Sequence, residues 1–294
     1  MKKHRFHFSK ESRESMEAFD KGIRPEAAPD RDDDKVTPPA EEPGAGAAEP
    51  EKAADDNAPF VVVSRTDVGK VRASNQDAVI VSGLLCGVAD GMGGHRGGET
   101  ASTGARDRLI DLLDGRDPDP TVLNQAIRSV NRRLYLQQLE DENLSGMGTT
   151  LTVLWIGPES VYIGHVGDSR AYRLRDGEFR QITEDHSLVM EMVRAGVLTR
   201  EQADAHPMKN VITRAVGTEE GIEVDLMAVV RKPGDIWLVC SDGLHGLVSD
   251  DDMKQILEDS APEKAADLLL QAALDAGGRD NISLVILVDR EGGQ

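Results

Sequence analysis

Four aspartates in this sequence stand at the ends of apolar segments, each beside turn-forming residues. Asp90 follows LLCGVA, Asp168 follows IGHVG, Asp242 follows WLVCS, and Asp280 lies in GGRDN just before the segment ISLVILVD. A carboxylate at a strand end is held rigidly at the rim of a sheet, and neighbouring glycines let backbone carbonyls approach the same point. Converging carboxylates repel one another unless cations neutralise them, and Mg²⁺ and Mn²⁺ prefer oxygen ligands. The pattern therefore predicts a site for hard divalent cations.

Other chemistries fit the sequence poorly. A single Asp-Gly pair is most often only a turn, but four aspartates at strand ends are harder to explain in that way. No pair of cysteines or histidines has zinc-ligand spacing near these aspartates. The stretch DGMGGHRGGE lacks the Gly-Lys-Ser/Thr ending of a P-loop, and the chain has no Gly-x-Ser-x-Gly elbow of a serine hydrolase.

Short strands and pairs of helices are predicted to position these aspartates. Asp176-Gly177 lies between AYRLR and EFRQI and predicts a two-residue hairpin. Apolar spacing predicts helices over 98–114 and 120–140, and two more near the C terminus, one capped by Ser249 and one starting at Ser260. The predicted strands are the β-branched runs FVVVSRTDVG, AVIVSG, LLCGVADG, TTLTVLWIG, SVYIGHVGDSRAYRLRDGEF, VDLMAVV, DIWLVCSDG and ISLVILVD. Because strands and helices do not alternate regularly, the pattern favours a mixed α+β protein with an antiparallel sheet system.

Composition limits the class of partner and the compartment. The 294 residues carry a formal net charge of -19, and such a surface repels the phosphates of nucleic acid. Cys86 and Cys240 end apolar runs, so we expect two small buried residues rather than a disulfide. Residues 1–58 are rich in proline, alanine and acidic residues, which predicts a disordered extension before a folded domain at 59–290. No signal peptide or long apolar run is evident, so we expect a cytoplasmic protein with no membrane partner.

Seven motifs, in order, resemble one known family. They are RASNQD (72–77), ADGMGGHRGGE (89–99), GMGTTL (146–151), HVGDSRAY (165–172), ITEDHS (182–187), LVCSDGL (238–244) and GGRDN (277–281). This set is similar to the metal-dependent protein phosphatases, the protein phosphatase 2C-like family, in their bacterial form. The resemblance runs from about Val61 to Val288 and leaves the first 58 residues uncovered.

The resemblance implies a fold and a set of metal ligands. The implied fold is a four-layer αββα sandwich, in which two antiparallel β-sheets are flanked by helix pairs. Two Mn²⁺ or Mg²⁺ ions would lie in a channel at one edge. Asp90 would bridge both ions, the backbone carbonyl of Gly91 would join one of them, and Asp242 and Asp280 would bind the other. Asp168 matches the position that binds a weaker third ion.

The resemblance also implies a reaction, the hydrolysis of phosphoserine and phosphothreonine in proteins. Arg72 matches an arginine that grips the substrate phosphate, for which its planar fork of donors is suited. The alternative for Arg72 is a surface salt bridge. Asp77 matches a carboxylate that orders the metal-bound waters. Two cations about 3.5–4 Å apart generate hydroxide from a bridging water near neutral pH, and this hydroxide attacks phosphorus in line with the leaving oxygen.

Several positions depart from the family pattern or have a simpler reading. Gln76 replaces a glutamate of some relatives. Met92 stands where eukaryotic members have a histidine proposed as general acid, so His95 or a metal-bound water is the alternative proton donor. His165 and His186 are expected to be structural, His165 within a strand and His186 fixing a loop.

The segment 187–213 is predicted to be a helical hairpin-like insertion, similar to the flap beside the active site of bacterial members. It either governs substrate choice or is a simple helical connection. The resemblance implies a monomer acting on phosphorylated proteins, with a bacterial Ser/Thr kinase and its substrates as partners. Two other functions stay open: a catalytically silent phosphatase-like module that binds phosphoproteins, and a phosphatase of small phosphomonoesters.

Overall fold

The computed structural model describes residues 59–290, apart from the side chains of residues 94–96. The prediction for residues 1–58 and the proton-donor hypothesis for His95 therefore lie outside the described residues. The strands are β1 (Phe60–Asp67), β2 (Asp77–Ser82), β3 (Leu85–Met92), β4 (Gly148–Thr149), β5 (Leu151–Ile156), β6 (Ser160–Val166), β7 (Arg170–Arg175), β8 (Glu178–Gln181), β9 (Asp225–Val230), β10 (Ile236–Cys240) and β11 (Ile282–Asp289). The helices are α1 (Gly94–Leu113), α2 (Pro120–Glu140), α3 (Leu188–Arg194), α4 (Arg200–Asp204), α5 (Asp242–His245), α6 (Asp250–Asp259) and α7 (Pro262–Asp275).

Two antiparallel sheets form the centre of the molecule. One has the strand order β1-β11-β10-β7-β8 and the other β2-β3-β5-β6-β9, with the short β4 paired to β3. Their facing sides share an apolar layer that includes Val88, Leu154, Trp237 and Val285. Period-two alternation in β10 explains this layer, because Trp237 and Val239 face the other sheet while Leu238 and Cys240 face outward.

A helix pair covers the outer face of each sheet. Side chains of α1 and α2, such as Leu109 and Ile127, pack on the β2-β3-β5 side, while α6 and α7 contribute Leu257 and Leu269 to a cluster over β1, β10 and β11. The four-layer αββα sandwich is therefore confirmed. No helix in the described residues is both long enough and apolar enough to span a membrane.

Local sequence signals explain most element boundaries. The Asp119 carboxylate accepts hydrogen bonds from the N–H groups of Thr121 and Val122 at 2.8 and 2.9 Å, which caps α2. Ser249 caps α6 as predicted. The last helix begins at Pro262 after Ala261 rather than at Ser260, because Ser260 ends the preceding helix.

The predicted Asp176-Gly177 hairpin turn is present, and the two cysteines are buried and free as predicted. Asp176 and Gly177 have φ values of 51° and 75° and form the tight turn between β7 and β8. Both conformations are left-handed, which explains why an Asp-Gly pair occupies the turn. Cys86 and Cys240 are free and buried.

The segment between β8 and β9 forms a helical hairpin, as the sequence predicted for 187–213. It contains α3, capped by the Ser187 side chain, and α4, which begins with a capping box formed by Thr199 and Gln202. A backbone bridge between Ser187 and Ile212 closes its base. We call residues 187–213 the flap segment.

Candidate metal centre

The predicted ligands lie at one edge of the sandwich. Asp90 is near the end of β3, Asp242 is the first residue of α5 and is separated from β10 by Ser241, and Asp280 lies two residues before β11. These three residues and Asp168 line a single cavity of about 430 Å³. Strands from both sheets end at this edge, which brings together aspartates that are far apart in sequence.

The carboxyl groups in this cavity disfavour one another's ionisation. Desolvation, followed by the charges of Asp77 and Asp242, raises the pKa of Asp90 well above its ordinary value. Desolvation and the charge of Asp280 raise the pKa of Asp242 to about 6, although a hydrogen bond with the Asp90 side chain opposes the shift. Desolvation and the charge of Asp242 raise the pKa of Asp168 to about 7. The positive charge of Arg72 opposes the shift of Asp242 without cancelling it.

The donor atoms fit a hard divalent cation. One buried carboxylate oxygen of Asp242 and one of Asp77 have no hydrogen-bond partner, which is costly for a charged group unless something else satisfies it. Oxygen-only donors of this kind suit Mg²⁺ or Mn²⁺. No group of three or more Asp, Glu, His or Cys side chains within the described residues is already arranged as a metal site.

Arg72 ties one predicted ligand to the mouth of the cavity. It lies in the loop after β1, and its Nη2 donates to Asp280 Oδ2 at 2.7 Å. Its side chain is 54% exposed, so several guanidinium donors remain accessible. The hydrogen bond to Asp280, together with the charges of Asp280, Asp242 and Asp90, raises the pKa of Arg72. Arg72 thus forms the salt bridge of the alternative reading and also lines the cavity, while its role towards phosphate stays a prediction.

Asp77 lies directly behind Asp90. The two residues are cross-strand partners in β2 and β3. Asp77 Oδ2 accepts from Ser241 Oγ at 2.8 Å, and Ser241 Oγ accepts from the N–H of Ser283 at 3.0 Å. Burial raises the pKa of Asp77 to about 6 despite the hydrogen bonds from Ser241 and Ser283. Ser241 thus joins β2 to the ends of β10 and β11 beneath the cavity.

Gly91 allows a close approach between β3 and α1. A Cβ atom at this position would lie 2.1 Å from the carbonyl oxygen of Gly98 and 2.6 Å from that of Gln76. The Gly91 N–H donates to the same Gln76 carbonyl at 3.1 Å. Any side chain here would push the start of α1 away from the cavity, so the sequence Asp-Gly is required sterically.

Two histidines brace the turn that carries Asp168. The N–H of Gly167 donates to His186 Nδ1 at 3.1 Å, and the N–H of His186 donates back to the Gly167 carbonyl at 2.8 Å. His245 Nε2 donates to the carbonyl oxygen of Asp168 at 3.0 Å. The prediction that His186 fixes a loop is therefore confirmed. His165 is also structural, because its ring is buried between Thr152 and the Glu184 carbonyl.

Sequence reasoning missed three supporting residues: Ser241, His245 and Asn281. Asn281 Nδ2 donates to the carbonyls of Val68 and Ser74 at 3.0 Å each, and its Oδ1 accepts from the Gln76 N–H at 2.8 Å. It thereby holds the Arg72 loop against the Asp280 turn. Their only sequence signal was their position: Ser241 lies within the motif LVCSDGL, His245 comes directly after it, and Asn281 is the last residue of GGRDN.

Met92, rather than a histidine, follows Asp90 and Gly91 in the wall of the cavity. No histidine among the described side chains lines it. Asn210 and Ile212, at the end of the flap segment, also line this cavity.

Comparisons with known proteins agree with this geometry. A family model described as protein phosphatase 2C matches residues 70–275. The serine/threonine phosphatase Stp of Listeria monocytogenes (strain F2365) is 40% identical over 240 residues, covering 77% of this chain and 94% of Stp. A crystal structure of the Mycobacterium tuberculosis serine/threonine phosphatase PstP superposes with a TM-score of 0.74 at 36% identity, covering 79% of this chain and 99% of that one. A structure of the PstP catalytic domain in complex with two manganese ions gives a TM-score of 0.73, again at 36% identity, with the same coverage of both chains.

Proposed function

We propose, because this chain belongs to the protein phosphatase 2C family, that it is a metal-dependent protein phosphatase acting on phosphoserine and phosphothreonine. The observation that supports this most strongly is the single cavity shared by Arg72 and the four strand-end aspartates. A phosphate ester needs positive charge around its oxygens and a water positioned for in-line attack. The arginine in this cavity supplies positive charge. The carboxylates can bind cations, which would supply further positive charge and position the water.

The aspartates are the proposed ligands of two Mn²⁺ or Mg²⁺ ions. Asp90 would bind both ions, the Gly91 carbonyl would join one of them, and Asp242 and Asp280 would bind the other. Asp168, braced by His245, would take a weaker third ion. Bound cations supply activation of a water and neutralise charge on the phosphoryl oxygens. Asp77, with one oxygen fixed by Ser241, keeps its second oxygen to accept a hydrogen bond from water.

Arg72 is the proposed substrate-binding residue. Its guanidinium lies at the cavity mouth with one Nη donor engaged by Asp280. The remaining donors can form two parallel hydrogen bonds to phosphoryl oxygens, a geometry that lysine cannot reproduce. The ion pair with Asp280 orients the fork and links phosphate binding to a metal ligand.

The leaving serine or threonine oxygen requires a proton. Met92 cannot donate one, and no described histidine side chain lines the cavity. We therefore propose that the proton comes from water or from His95, whose side chain lies outside the described residues.

The wider assignments are also proposals. Residues 59–290 would form the catalytic domain, monomeric and acting in the cytoplasm, where the free thiols Cys86 and Cys240 are compatible with a reducing environment. The physiological partners would be a bacterial Ser/Thr kinase and its phosphorylated substrates.

Phosphate release from a phosphothreonine peptide in Mn²⁺ tests the function. We expect turnover that chelation abolishes and that Asp242→Ala reduces by orders of magnitude. Asp251→Ala is the matched control, because Asp251 is an exposed aspartate on α6. Turnover that persists in Asp242→Ala, or is absent from the unmodified protein, would refute the proposal.

Calorimetry with Mn²⁺ and a comparison of peptide and metabolite substrates separate the two other functions from this one. A silent phosphoprotein-binding module would bind the peptide without releasing phosphate and would show no tight Mn²⁺ binding by calorimetry. A phosphatase of small phosphomonoesters would hydrolyse metabolites with a higher kcat/KM than peptides. The retained carboxylate cluster argues against a silent module, since peptide binding alone gives no reason to gather repelling charges.

A further inference from the structure

A second cavity adjoins the metal centre. It has a volume of about 540 Å³ and lies between the flap segment, α5 and the turn before β11. Asp168, Asn210, Asp242 and Asp280 line both cavities, so the two are contiguous. A substrate peptide whose phosphorylated residue enters the metal centre can therefore place a neighbouring residue in the second cavity.

The second cavity carries three basic side chains without ion-pair partners. Arg200 and Lys209 come from the flap segment, and Arg279 comes from the opposite wall. All three residues are exposed, and none forms an ion pair with another described residue. On a protein of net charge -19, three unpaired cations around one cavity contrast with the surrounding surface.

The acidic residues of this cavity are mostly engaged elsewhere. Asp185 accepts from Arg170 Nη2 at 2.7 Å, and Asp250 accepts from the Tyr172 hydroxyl at 3.3 Å. The aspartates shared with the metal centre face the proposed cations. Because a hydroxyl does not neutralise a carboxylate, Asp204 and Asp250 offset two of the three basic side chains. One positive charge is left in excess once the metal centre is loaded.

We propose that this second cavity binds an anionic side chain of the substrate, located a few residues from the phosphorylated residue that is hydrolysed. The inference rests on the proposed function. An extended peptide advances about 3.3–3.6 Å per residue, so a residue only a few positions away reaches the adjoining cavity. The anion is either a carboxylate or a second phosphate, and both suit arginine.

A peptide series tests the preference directly. Phosphothreonine peptides would carry glutamine, glutamate or a second phosphothreonine, placed two to four residues on either side of the hydrolysed residue. We expect kcat/KM to rise for the anionic peptides by about twofold to fivefold for each cation engaged, the range typical of exposed charge pairs. The rise should shrink between about 0.05 and 0.5 M salt, because salt screens exposed charges. Glutamate and the second phosphate distinguish the two sources of the anion.

Charge reversal assigns the effect to the cavity. Arg200→Glu should lower the ratio of kcat/KM for anionic over neutral peptides and should favour peptides with lysine at the same position. Arg279→Gln should lower the ratio without creating a lysine preference. Arg133→Gln, an exposed arginine on α2, is the control and should leave the ratio unchanged.

The outcomes separate this inference from the proposed function. Hydrolysis of all phosphopeptides with equal kcat/KM would overturn the anionic subsite while leaving the phosphatase assignment intact. An unchanged ratio in Arg200→Glu and Arg279→Gln would do the same. Failure to hydrolyse any phosphopeptide, or p-nitrophenyl phosphate, in Mn²⁺ would overturn both.

Discussion

Replacing Asp242 by asparagine should stabilise the protein in the absence of metal, even though it removes a proposed ligand. The pKa of Asp242 rises from 3.8 to about 6 in the folded state. At 1.36 kcal/mol per unit, ionising this carboxyl destabilises the folded state by about 3 kcal/mol above pH 6. Water in the cavity screens part of this, so we expect a gain of about 2–3 kcal/mol at pH 7.5. Relief of repulsion on Asp90 and Asp168 acts in the same direction.

The pH dependence follows from the sign of the shift. A carboxyl with a raised pKa binds its proton more tightly in the folded state, so its ionisation costs stability as pH rises from about 4 to 6. The advantage of Asp242→Asn should therefore fall to about half at pH 5 and disappear below pH 4. Bound cations reverse the ranking at high metal concentration, because the unmodified protein gains about 4.1 kcal/mol at 1,000 Kd. This gain exceeds the variant's advantage, and the variant itself gains far less.

Urea denaturation of both proteins, with EDTA and with Mn²⁺, measures these differences. In a thermal scan the same gain corresponds to about 4–12 °C in Tm. Asp235→Asn is the matched control, because the Asp235 carboxylate is buried but accepts from Arg175 Nε at 2.6 Å and from Nη2 at 2.5 Å. Breaking that pair should destabilise the protein by about 3–5 kcal/mol with or without metal. Destabilisation of the metal-free protein by Asp242→Asn at pH 7.5 would refute the electrostatic reasoning.

Three further substitutions probe the site and the core. Arg72→Gln should lower kcat/KM for a phosphothreonine peptide by about 10- to 100-fold, the loss expected for hydrogen bonds to a charged group. The Mn²⁺ affinity measured by calorimetry should not weaken, and a weaker affinity would contradict a substrate-binding role. Gly243→Ala should reduce Mn²⁺ affinity and Tm, because its Cβ would lie 1.9 Å from the Asn281 carbonyl oxygen and force α5 to move. The control is Gly221→Ala, whose Cβ meets no atom within 4 Å and which should leave both values unchanged. Burial lowers the pKa of His165 to about 4, so the stability of the unmodified protein relative to His165→Gln, both in EDTA, should decline by up to about 3 kcal/mol as pH falls from 6.5 towards 4. A stability difference that does not change with pH would exclude this histidine as the source.

Local structure was largely predictable because its causes are local. Alternating β-branched residues marked the strands, three- and four-residue spacing marked α1 and α2, and the left-handed turn at Asp176-Gly177 required those residue types. Layer order was not predictable from pattern, since it depends on pairings such as β1 with β11, whose segments are distant in sequence. The resemblance to a family provided that order, and the sheet pairings confirm it.

In the candidate site, too, some residues could be predicted from the sequence and others could not. Asp90 and Asp242 were recognisable from the sequence alone, because each comes at the end of an apolar run and is followed by glycine. The supports were not recognisable, because Ser241 reaches Asp77 and Asn281 reaches Ser74 only after remote segments meet. A residue that acts through a contact across the fold has no local signature in a single sequence.

The most direct test of the account is an anomalous difference map from crystals grown with Mn²⁺. We predict two strong peaks in the cavity beneath Arg72, with Asp90 contacting both and with Asp242 and Asp280 on one of them. A map without peaks in this cavity, or with manganese bound only elsewhere on the surface, would contradict the account.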